Sequence, residues 1–380
     1  IDIISDGVSN KHRFITTIDR QRRLQSIYCH GNNQFGQCGI GEENGKPVDA
    51  WTKLNDFWKP DTAKVTLHNG FVHTSINDRI KDIQCGMYHT IFLSENGNVW
   101  SCGCNWNGQL GLGRSVRKIT VPRLVKFNVT ALSMLSTPRS SDEDINCGYP
   151  AQILNDEKMA KVDMMQASNS MLQFEATAAI KSIACGDEHN LCLDEHGALW
   201  VFGHLSVDSN VKQEVYEPMK HAYFHKAETE IKVSRISCGA DHSVCCDTNG
   251  VCYLFGSNDK GQIGHKYMEI CSGEVSIFQQ SRDEHNKNRH IFANSKVIEV
   301  AAGQCHTVLL TARNEVITFG SNFHGQCSIV NRKEIICFGH ILLRHEEIGI
   351  TSDSYIERIV ASANRTIVVV NTQKKLKLLK

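Results

Sequence analysis

Short apolar runs alternate with polar, glycine-containing turns along this sequence. Four segments align without a gap: CGMYHTIFLSENGNVWSCG (85–103), CGDEHNLCLDEHGALWVFG (185–203), CGADHSVCCDTNGVCYLFG (238–256) and AGQCHTVLLTARNEVITFG (302–320). In each segment, two apolar runs flank a polar turn. Short runs rich in Val, Ile, Leu and aromatic residues are typical of buried strands. Each segment therefore predicts a β-hairpin.

The four segments share glycine and histidine residues at fixed positions. A glycine precedes each histidine by three residues, and a second glycine follows the histidine by fourteen. These residues are Gly86, His89 and Gly103; Gly186, His189 and Gly203; Gly239, His242 and Gly256; and Gly303, His306 and Gly320. Eight residues after the histidine, three segments have glycine and the last has Asn314. Asparagine tolerates positive φ better than other non-glycine residues, so this exchange indicates a left-handed turn position.

A second turn, with the pattern G-x-N-x-x-G-Q, follows three of the segments and also occurs near the N-terminus. Its copies are GNNQFGQCG (31–39), GCNWNGQLG (103–111), GSNDKGQIG (256–264) and GSNFHGQCS (320–328). Glycine at both ends of such a short stretch permits backbone conformations that other residues disfavour. We therefore expect a tight turn after the second strand of each of these hairpins.

Weaker copies extend the pattern to seven units. Residues 145–165 carry Ala151 at the histidine position, and the two end segments carry Arg13 and Arg365 there. The units are anchored near residues 13, 89, 151, 189, 242, 306 and 365, within one domain over residues 1–380. Four-stranded units repeated in this way predict an all-β, seven-bladed β-propeller, whereas a helical solenoid would need a 3.6-residue apolar period. We also expect strands from both chain ends to complete one terminal blade together.

The repeated motif resembles the regulator of chromosome condensation repeat. The best match runs from Gly86 to Gly111 and ends on Trp100, Gly103, Asn105, Gly108, Gln109, Leu110 and Gly111. The resemblance covers most of the chain and implies a seven-bladed propeller. In such a fold we expect each repeat histidine to hydrogen-bond a neighbouring blade, because buried polar groups find local partners. Gln109, Gln262 and Gln326 are expected to bridge blades in the same way.

Charge and cysteine content narrow the classes of partner and cofactor. The chain has 41 Lys+Arg and 41 Asp+Glu, and this balance disfavours DNA as a direct partner. Sixteen cysteines and 18 histidines suggest metal binding, but no CxxC pair occurs. We therefore interpret the cysteines as small buried side chains in a reducing compartment, cytoplasm or nucleus, and expect no metal or cofactor. No apolar stretch reaches the 18 residues of a membrane span, so no membrane association is expected.

The first functional hypothesis is a protein-interaction platform. Long rim loops are expected at 42–80, 114–144, 204–233 and 265–295. Aromatic residues are enriched at the centres of protein interfaces. The candidate partner-binding residues are Trp51, Phe57, Trp58 and Trp106. No phosphate-binding loop, HExxH or GxSxG motif is present, so we do not expect catalysis by this chain itself.

Two alternatives follow from the resemblance. It implies guanine-nucleotide exchange on a Ran-type small GTPase, the activity of the family's founding member, with Asp187 and Asp241 in the slots for acidic residues. Cys305 and Asn364 stand where that activity would need a later histidine. The second alternative is a substrate-recognition module of a ubiquitin ligase, because such propellers are often attached to other domains.

Overall fold

A computed structural model describes residues 3–6, 11–19, 24–41, 45–55, 78–128, 177–206, 212–226, 229–264, 275–277, 295–327, 335–343 and 354–372. These residues form β-strands and a short 3₁₀ helix, Ala222–Phe224, with no α-helix among them. Within this part of the chain, no helix is long and apolar enough to cross a membrane. The cysteines whose side chains the structure describes are free thiols, and all of them except Cys305 are buried.

Five antiparallel sheets of four strands follow one another along the chain, and we call them blades 1 to 5. Blade 1 contains β1 (Ile3–Asp6), β2 (His12–Asp19), β3 (Leu24–Gly31) and β4 (Val48–Lys53). Blade 2 contains β5 (Ile80–Cys85), β6 (His89–Ser94), β7 (Val99–Cys104) and β8 (Lys118–Val125). Blade 3 contains β9 (Ile180–Cys185), β10 (His189–Asp194), β11 (Leu199–Ser206) and β12 (Lys212–Lys220).

A small two-stranded ribbon, β13 (His225–Lys226) and β14 (Thr229–Glu230), follows blade 3. Blade 4 contains β15 (Val233–Cys238), β16 (His242–Asp247), β17 (Cys252–Gly256) and β18 (Ser276–Ile277). Blade 5 contains β19 (Val297–Ala302), β20 (His306–Thr311), β21 (Val316–Ser321) and β22 (Ile335–Leu343). Blade 6 is represented by two paired strands, β23 (Ser354–Ser362) and β24 (Arg365–Thr372).

The predicted hairpins are confirmed, and the reason is visible in their burial. Every residue of β6, β7, β10, β16, β20 and β21 is buried, because blades 2 to 5 are each covered on both faces by neighbouring blades. A continuous apolar run is what such a two-sided environment requires. Asn314 has a φ of 63° in the turn between β20 and β21 of blade 5, as its exchange with glycine predicts.

Consecutive blades lie side by side through their first and second strands, so the chain is an all-β propeller. The contact between blades 2 and 3 bears on the predicted unit count. The Met87 amide donates to the Asp187 carbonyl oxygen at 2.9 Å, which makes the units anchored at His89 and His189 immediate neighbours. The unit predicted near Ala151 lies outside the described residues, so the structure describes six of the seven predicted units.

Three sequence expectations need correction. The predicted rim loops 42–80, 114–144, 204–233 and 265–295 contain fourth strands of blades, namely β4, β8, β12 and β18. The two chain ends do not share a sheet among the described strands, because β1 to β4 form one blade and β23 pairs with β24 in another. In blade 1 the repeat histidine is His12 rather than Arg13, since His12 pairs with Gly31 as His89 pairs with Gly103.

Candidate functional site

A ladder of buried histidines joins the blades at one edge of the propeller. Each Nε2 atom hydrogen-bonds a side chain on the second strand of the next blade. The pairs are His12–Thr90 (2.7 Å), His89–Asn190 (2.8 Å), His189–Ser243 (2.9 Å), His242–Thr307 (2.9 Å) and His306–Thr366 (3.0 Å). Asn190 Oδ1 is an acceptor, so His89 donates through Nε2 and its other ring nitrogen carries no proton in the neutral state. The repeat histidines therefore have a structural role.

Burial keeps these histidines neutral. Loss of solvation lowers the pKa of His89, His189 and His306 to about 4. It lowers the pKa of His12 and His242 to about 3. Among the residues that the structure describes, no group of three or more His, Cys, Asp or Glu side chains could hold a metal ion.

The glycine of each G-x-x-H turn makes room for the histidine ring. A Cβ atom on Gly86 would overlap the imidazole of His89 and would lie 2.8 Å from the carbonyl oxygen of Gly186 in blade 3. Neither neighbour can move freely, since one is a buried ring and the other is backbone. The spacing of glycine and histidine in the repeat follows from this contact.

The glutamines of the G-x-N-x-x-G-Q turns were expected to bridge blades, but their side chains close the turns themselves. The side chain of Gln109 does not bridge blades, because its Oε1 accepts from the Asn107 amide in the same turn at 2.9 Å. Gln262 and Gln326 close their own turns in the same way. The bridge is made instead by the main chain of this residue, since Asn190 Nδ2 donates to the Gln109 carbonyl oxygen at 2.9 Å. The turn thus holds its two tip residues in a fixed position.

Both kinds of turn lie at the same edge of the propeller, which we call the histidine edge. His89 pairs with Gly103, so the turn before β6 and the turn after β7 emerge side by side. The same pairing joins His242 to Gly256 and His306 to Gly320. Residues that vary between the repeats at these turns are therefore presented on one surface.

An aromatic cluster, which consists of Phe35, Tyr88 and Trp106, stands on the histidine edge. The Phe35 ring lies 5.0 Å from Tyr88 and 4.9 Å from Trp106, both in edge-to-face geometry. The hydroxyl of Tyr216 in blade 3 donates to the Trp106 carbonyl oxygen at 2.7 Å. Phe35 of blade 1 thus contacts the indole ring, Tyr216 of blade 3 anchors the main chain of the same residue, and 52% of Trp106 remains exposed.

Three carboxylates lie on the histidine edge, and one of them, Glu188, adjoins the aromatic cluster. Asn107 Nδ2 donates to Glu188 Oε2 at 2.9 Å, which places Glu188 next to the Trp106 turn. Asp187 is half-buried and Asp241 is exposed, in successive blades joined by a bond from the Asp187 amide to the Ala240 carbonyl oxygen. Burial raises the pKa of the Cys305 thiol, and the charges of Asp241 and Asp187 add to that rise. Asp187, Asp241 and Cys305 therefore share one neighbourhood.

Of the predicted partner-binding residues, the structure describes Trp51 and Trp106, whose rings have different neighbours. Trp51 is exposed on β4, where its ring lies 5.5 Å from that of His30, and Phe57 and Trp58 lie outside the described residues. Trp106 is at the centre of the aromatic cluster. Sequence reasoning missed the residues that hold Trp106, although the aligned turns did place Phe35 one position from it in the motif.

Comparisons with known proteins identify the class that this histidine-linked propeller belongs to. Two family profiles, both for the "Regulator of chromosome condensation (RCC1) repeat", together match more than half of the chain. One matches residues 80–109, 180–206, 233–262 and 297–326, and the other matches residues 26–93 and 96–134. The chain therefore belongs to the RCC1-repeat family, as the motif predicted.

Curated relatives are distant and differ in function. Human "Probable E3 ubiquitin-protein ligase HERC4" is 25% identical over 79% of this chain and 26% of its own length. "Ultraviolet-B receptor UVR8" of Arabidopsis thaliana is 24% identical over 82% of this chain and 64% of its own. "Guanine nucleotide exchange factor SRM1" of Saccharomyces cerevisiae is 21% identical over 97% of this chain and 66% of its own. The chain thus spans less than two thirds of these relatives.

A solved structure supports the fold. Human WBSCR16 superposes with a TM-score of 0.61 at 16% identity, over 96% of this chain and 70% of the other. At this identity the likeness concerns the fold alone, and it agrees with the propeller built from repeated blades.

Proposed function

We propose that this propeller acts by binding another protein, and that the aromatic cluster on the histidine edge is the centre of the binding surface. The observation that carries the proposal is the state of Trp106, which is more than half exposed although its ring packs on Phe35 and its carbonyl oxygen is bonded by Tyr216. A large aromatic side chain that is fixed before binding loses little entropy when a partner covers it. Such residues dominate binding energy at interfaces.

The rest of the surface fits this role. The Trp106 turn is closed by its own Asn and Gln side chains, so the ring is presented by a rigid element. Polar groups, including Glu188 and Asn107, surround the aromatic cluster. A buried aromatic centre with a polar rim is the usual anatomy of a protein interface. Recognition of a substrate for a ubiquitin ligase would be one form of this activity.

Affinity capture with a matched pair of variants tests the proposal. Phe323 occupies the position of Trp106 in blade 5 and is 49% exposed. Proteins that co-purify with the wild-type chain should fall by about tenfold with Trp106→Ala, a loss of about 1.4 kcal/mol, and should be retained with Phe323→Ala. If both variants retain the same proteins, or both lose them equally, the aromatic cluster is not the binding centre.

Guanine-nucleotide exchange on a Ran-type small GTPase is a second candidate. Asp187 and Asp241 lie on the same edge in successive blades, as that activity would need. Carboxylates at an interface could compete with phosphate for the Mg²⁺ ion of a bound nucleotide. Cys305 occupies the slot of a later histidine, and burial raises its thiol pKa, so it stays a neutral thiol at neutral pH and cannot supply the positive charge of a protonated histidine.

Nucleotide release from a Ran-type GTPase is the measurement for this candidate. Exchange activity predicts faster release of a fluorescent GDP analogue with the wild-type chain and a clear loss with Asp187→Asn or Asp241→Asn. Trp106-dependent capture of proteins without acceleration of release would leave the first proposal intact and exclude the second.

A further inference from the structure

The Trp106 ring offers a vacant site for a cation, and the two tyrosines beside it explain why. Lys11 Nζ lies 4.5 Å from the centre of the Tyr88 ring and 3.1 Å from its hydroxyl. The Arg114 guanidinium lies 5.4 Å from the centre of the Tyr216 ring. Cations are attracted to the faces of aromatic rings, and indole attracts them more strongly than phenol. Of the Tyr88, Tyr216 and Trp106 rings, the two tyrosine rings therefore already have a basic side chain of this chain over them.

Trp106 differs from its two neighbours. Among the described residues, its ring contact is with Phe35, and no basic side chain lies over it. The edge-to-face geometry with Phe35, at an interplanar angle of 73°, leaves an indole face open, consistent with the 52% exposure of the residue. The most attractive ring of the three is thus the one without a cation.

Charge near the ring favours a basic ligand. Glu188 accepts a hydrogen bond from Asn107, the residue next to Trp106, and Asp187 adjoins it in the chain. Glu214 Oε2 lies 2.9 Å from the Tyr216 hydroxyl. Basic residues also lie nearby: Lys11 and Arg114 contact the tyrosine rings, and the charges of Arg114 and Arg117 act on the Tyr216 hydroxyl. A cation over Trp106 would gain both the indole face and the field of these carboxylates.

We infer that the partner protein inserts an arginine or lysine side chain on the exposed face of Trp106, where its charge is shared with Glu188. This inference rests on the proposed function, because it specifies the chemistry of the partner at the same surface. Arginine suits the position better than lysine, since a planar guanidinium can stack on the indole and bond a carboxylate at the same time. The partner is therefore a protein with an exposed basic segment.

Fluorine NMR of the full chain labelled with 5-fluorotryptophan tests the inference directly. The Trp106 resonance is assigned as the one missing from Trp106→Phe, and a short peptide of alternating arginine and glycine is the probe. The peptide should shift this resonance in a saturable manner, and added salt should weaken the effect because the carboxylates are exposed. A peptide with glutamine in place of arginine should leave the resonance unchanged.

Variants of single carboxylates separate the cation site from general attraction. Glu188→Gln should weaken the peptide by about fivefold, equivalent to about 1 kcal/mol. Glu195→Gln, in the exposed hairpin turn at the opposite edge of the same blade, should leave its affinity unchanged. Equal shifts with the glutamine peptide, or an effect of Glu195→Gln as large as that of Glu188→Gln, would overturn the inference.

The two proposals fail in different ways. If protein capture depends on Trp106 but the arginine peptide does not shift its resonance, the binding surface stands and the basic partner is wrong. If protein capture is also independent of Trp106, the proposal that the aromatic cluster is the binding surface is wrong. A shift that needs about fivefold more peptide in Glu188→Gln, and the same amount of peptide in Glu195→Gln, supports the cation site.

Discussion

The turns that carry Trp106 in blade 2 and Phe323 in blade 5 share one construction. The amide of Leu110 bonds Asn105 Oδ1 at 2.8 Å, and the amide of Cys327 bonds Asn322 Oδ1 at 2.9 Å. In both turns a glutamine Oε1 accepts an amide hydrogen bond from the second tip residue at 2.9 Å. The first tip residue is an exposed aromatic in each case.

The two turns differ in what lies next to them. A Cβ atom on Gly108 of the blade 2 turn would lie 2.6 Å from the carbonyl carbon of Val215 in blade 3. At the equivalent Gly325 of the blade 5 turn, no described atom lies within 4 Å. Trp106 is held by Phe35 and Tyr216, whereas Phe323 makes no ring contact in the described part of the chain. The repeat therefore builds the tip, and contacts between blades make one tip a candidate site.

Acid should weaken the hydrogen bonds of the ladder histidines, which join the blades below both turns. The resulting loss of stability is the largest effect that we expect. Burial lowers the pKa of the five ladder histidines to about 3 or 4, below the value near 6.5 of an unfolded chain. The unfolded state then takes up protons first as the pH falls below 6.5. The stability of the fold should be complete above pH 6.5 and should be lost progressively towards pH 4.

Urea denaturation at pH 7, 6 and 5 measures this loss. Each histidine contributes a slope of at most about 1.4 kcal/mol per pH unit, so five should give several kcal/mol per unit near pH 5. Asp82 and Glu299 act in the opposite direction, because burial raises the pKa of each and their protonation favours the fold. Stability that stays flat from pH 7 to 5 would contradict neutral, buried histidines.

Alanine at the two equivalent glycines should show the difference between the turns. Gly108 and Gly325 have φ angles of 82° and 77°, so both variants pay for a left-handed alanine, about 1 to 2 kcal/mol. Gly108→Ala must also displace the backbone of Val215, and we expect a total loss of about 3 kcal/mol or more. The free energy of unfolding in urea is the measurement, and equal losses would show that the two turns are packed alike.

The sequence predicts the inner parts of the blades well, because their residues are buried on both faces and repeat in register. It does not reveal the outer strands. In β8, three of eight residues are buried, so its sequence resembles a polar loop. His12 was missed because β2 and β3 form a longer hairpin, which separates His12 from Gly31 by nineteen residues rather than fourteen.

The sequence predicts Trp106 as a candidate site residue, but it does not predict the residues that contact Trp106. Trp106 is an aromatic residue at a turn position where the other copies have Gln34, Asp259 and Phe323, so the sequence alone marks it. The contacts that fix it come from Phe35 and Tyr216, which lie in two other blades. Spacing within one repeat carries no information about contacts between blades. The same limit explains why Phe323 and Trp106 look equivalent in the sequence.

Removal of one hydroxyl should make the blade 2 turn resemble the blade 5 turn, and this is the smallest effect that we expect. Tyr216→Phe abolishes the bond to the Trp106 carbonyl oxygen but keeps the ring beneath Arg114. The bond is at the surface, so the free energy of unfolding should fall by about 1 kcal/mol or less. The Trp106 fluorine resonance should nevertheless shift, because the turn loses its anchor in blade 3. Tyr355→Phe removes a phenol that accepts from Asn371 Nδ2 on blade 6, and should leave that resonance unchanged. If the resonance responds to neither variant, Phe35 and the bonds within the turn suffice to hold Trp106, and the difference between the two turns reduces to the Phe35 contact.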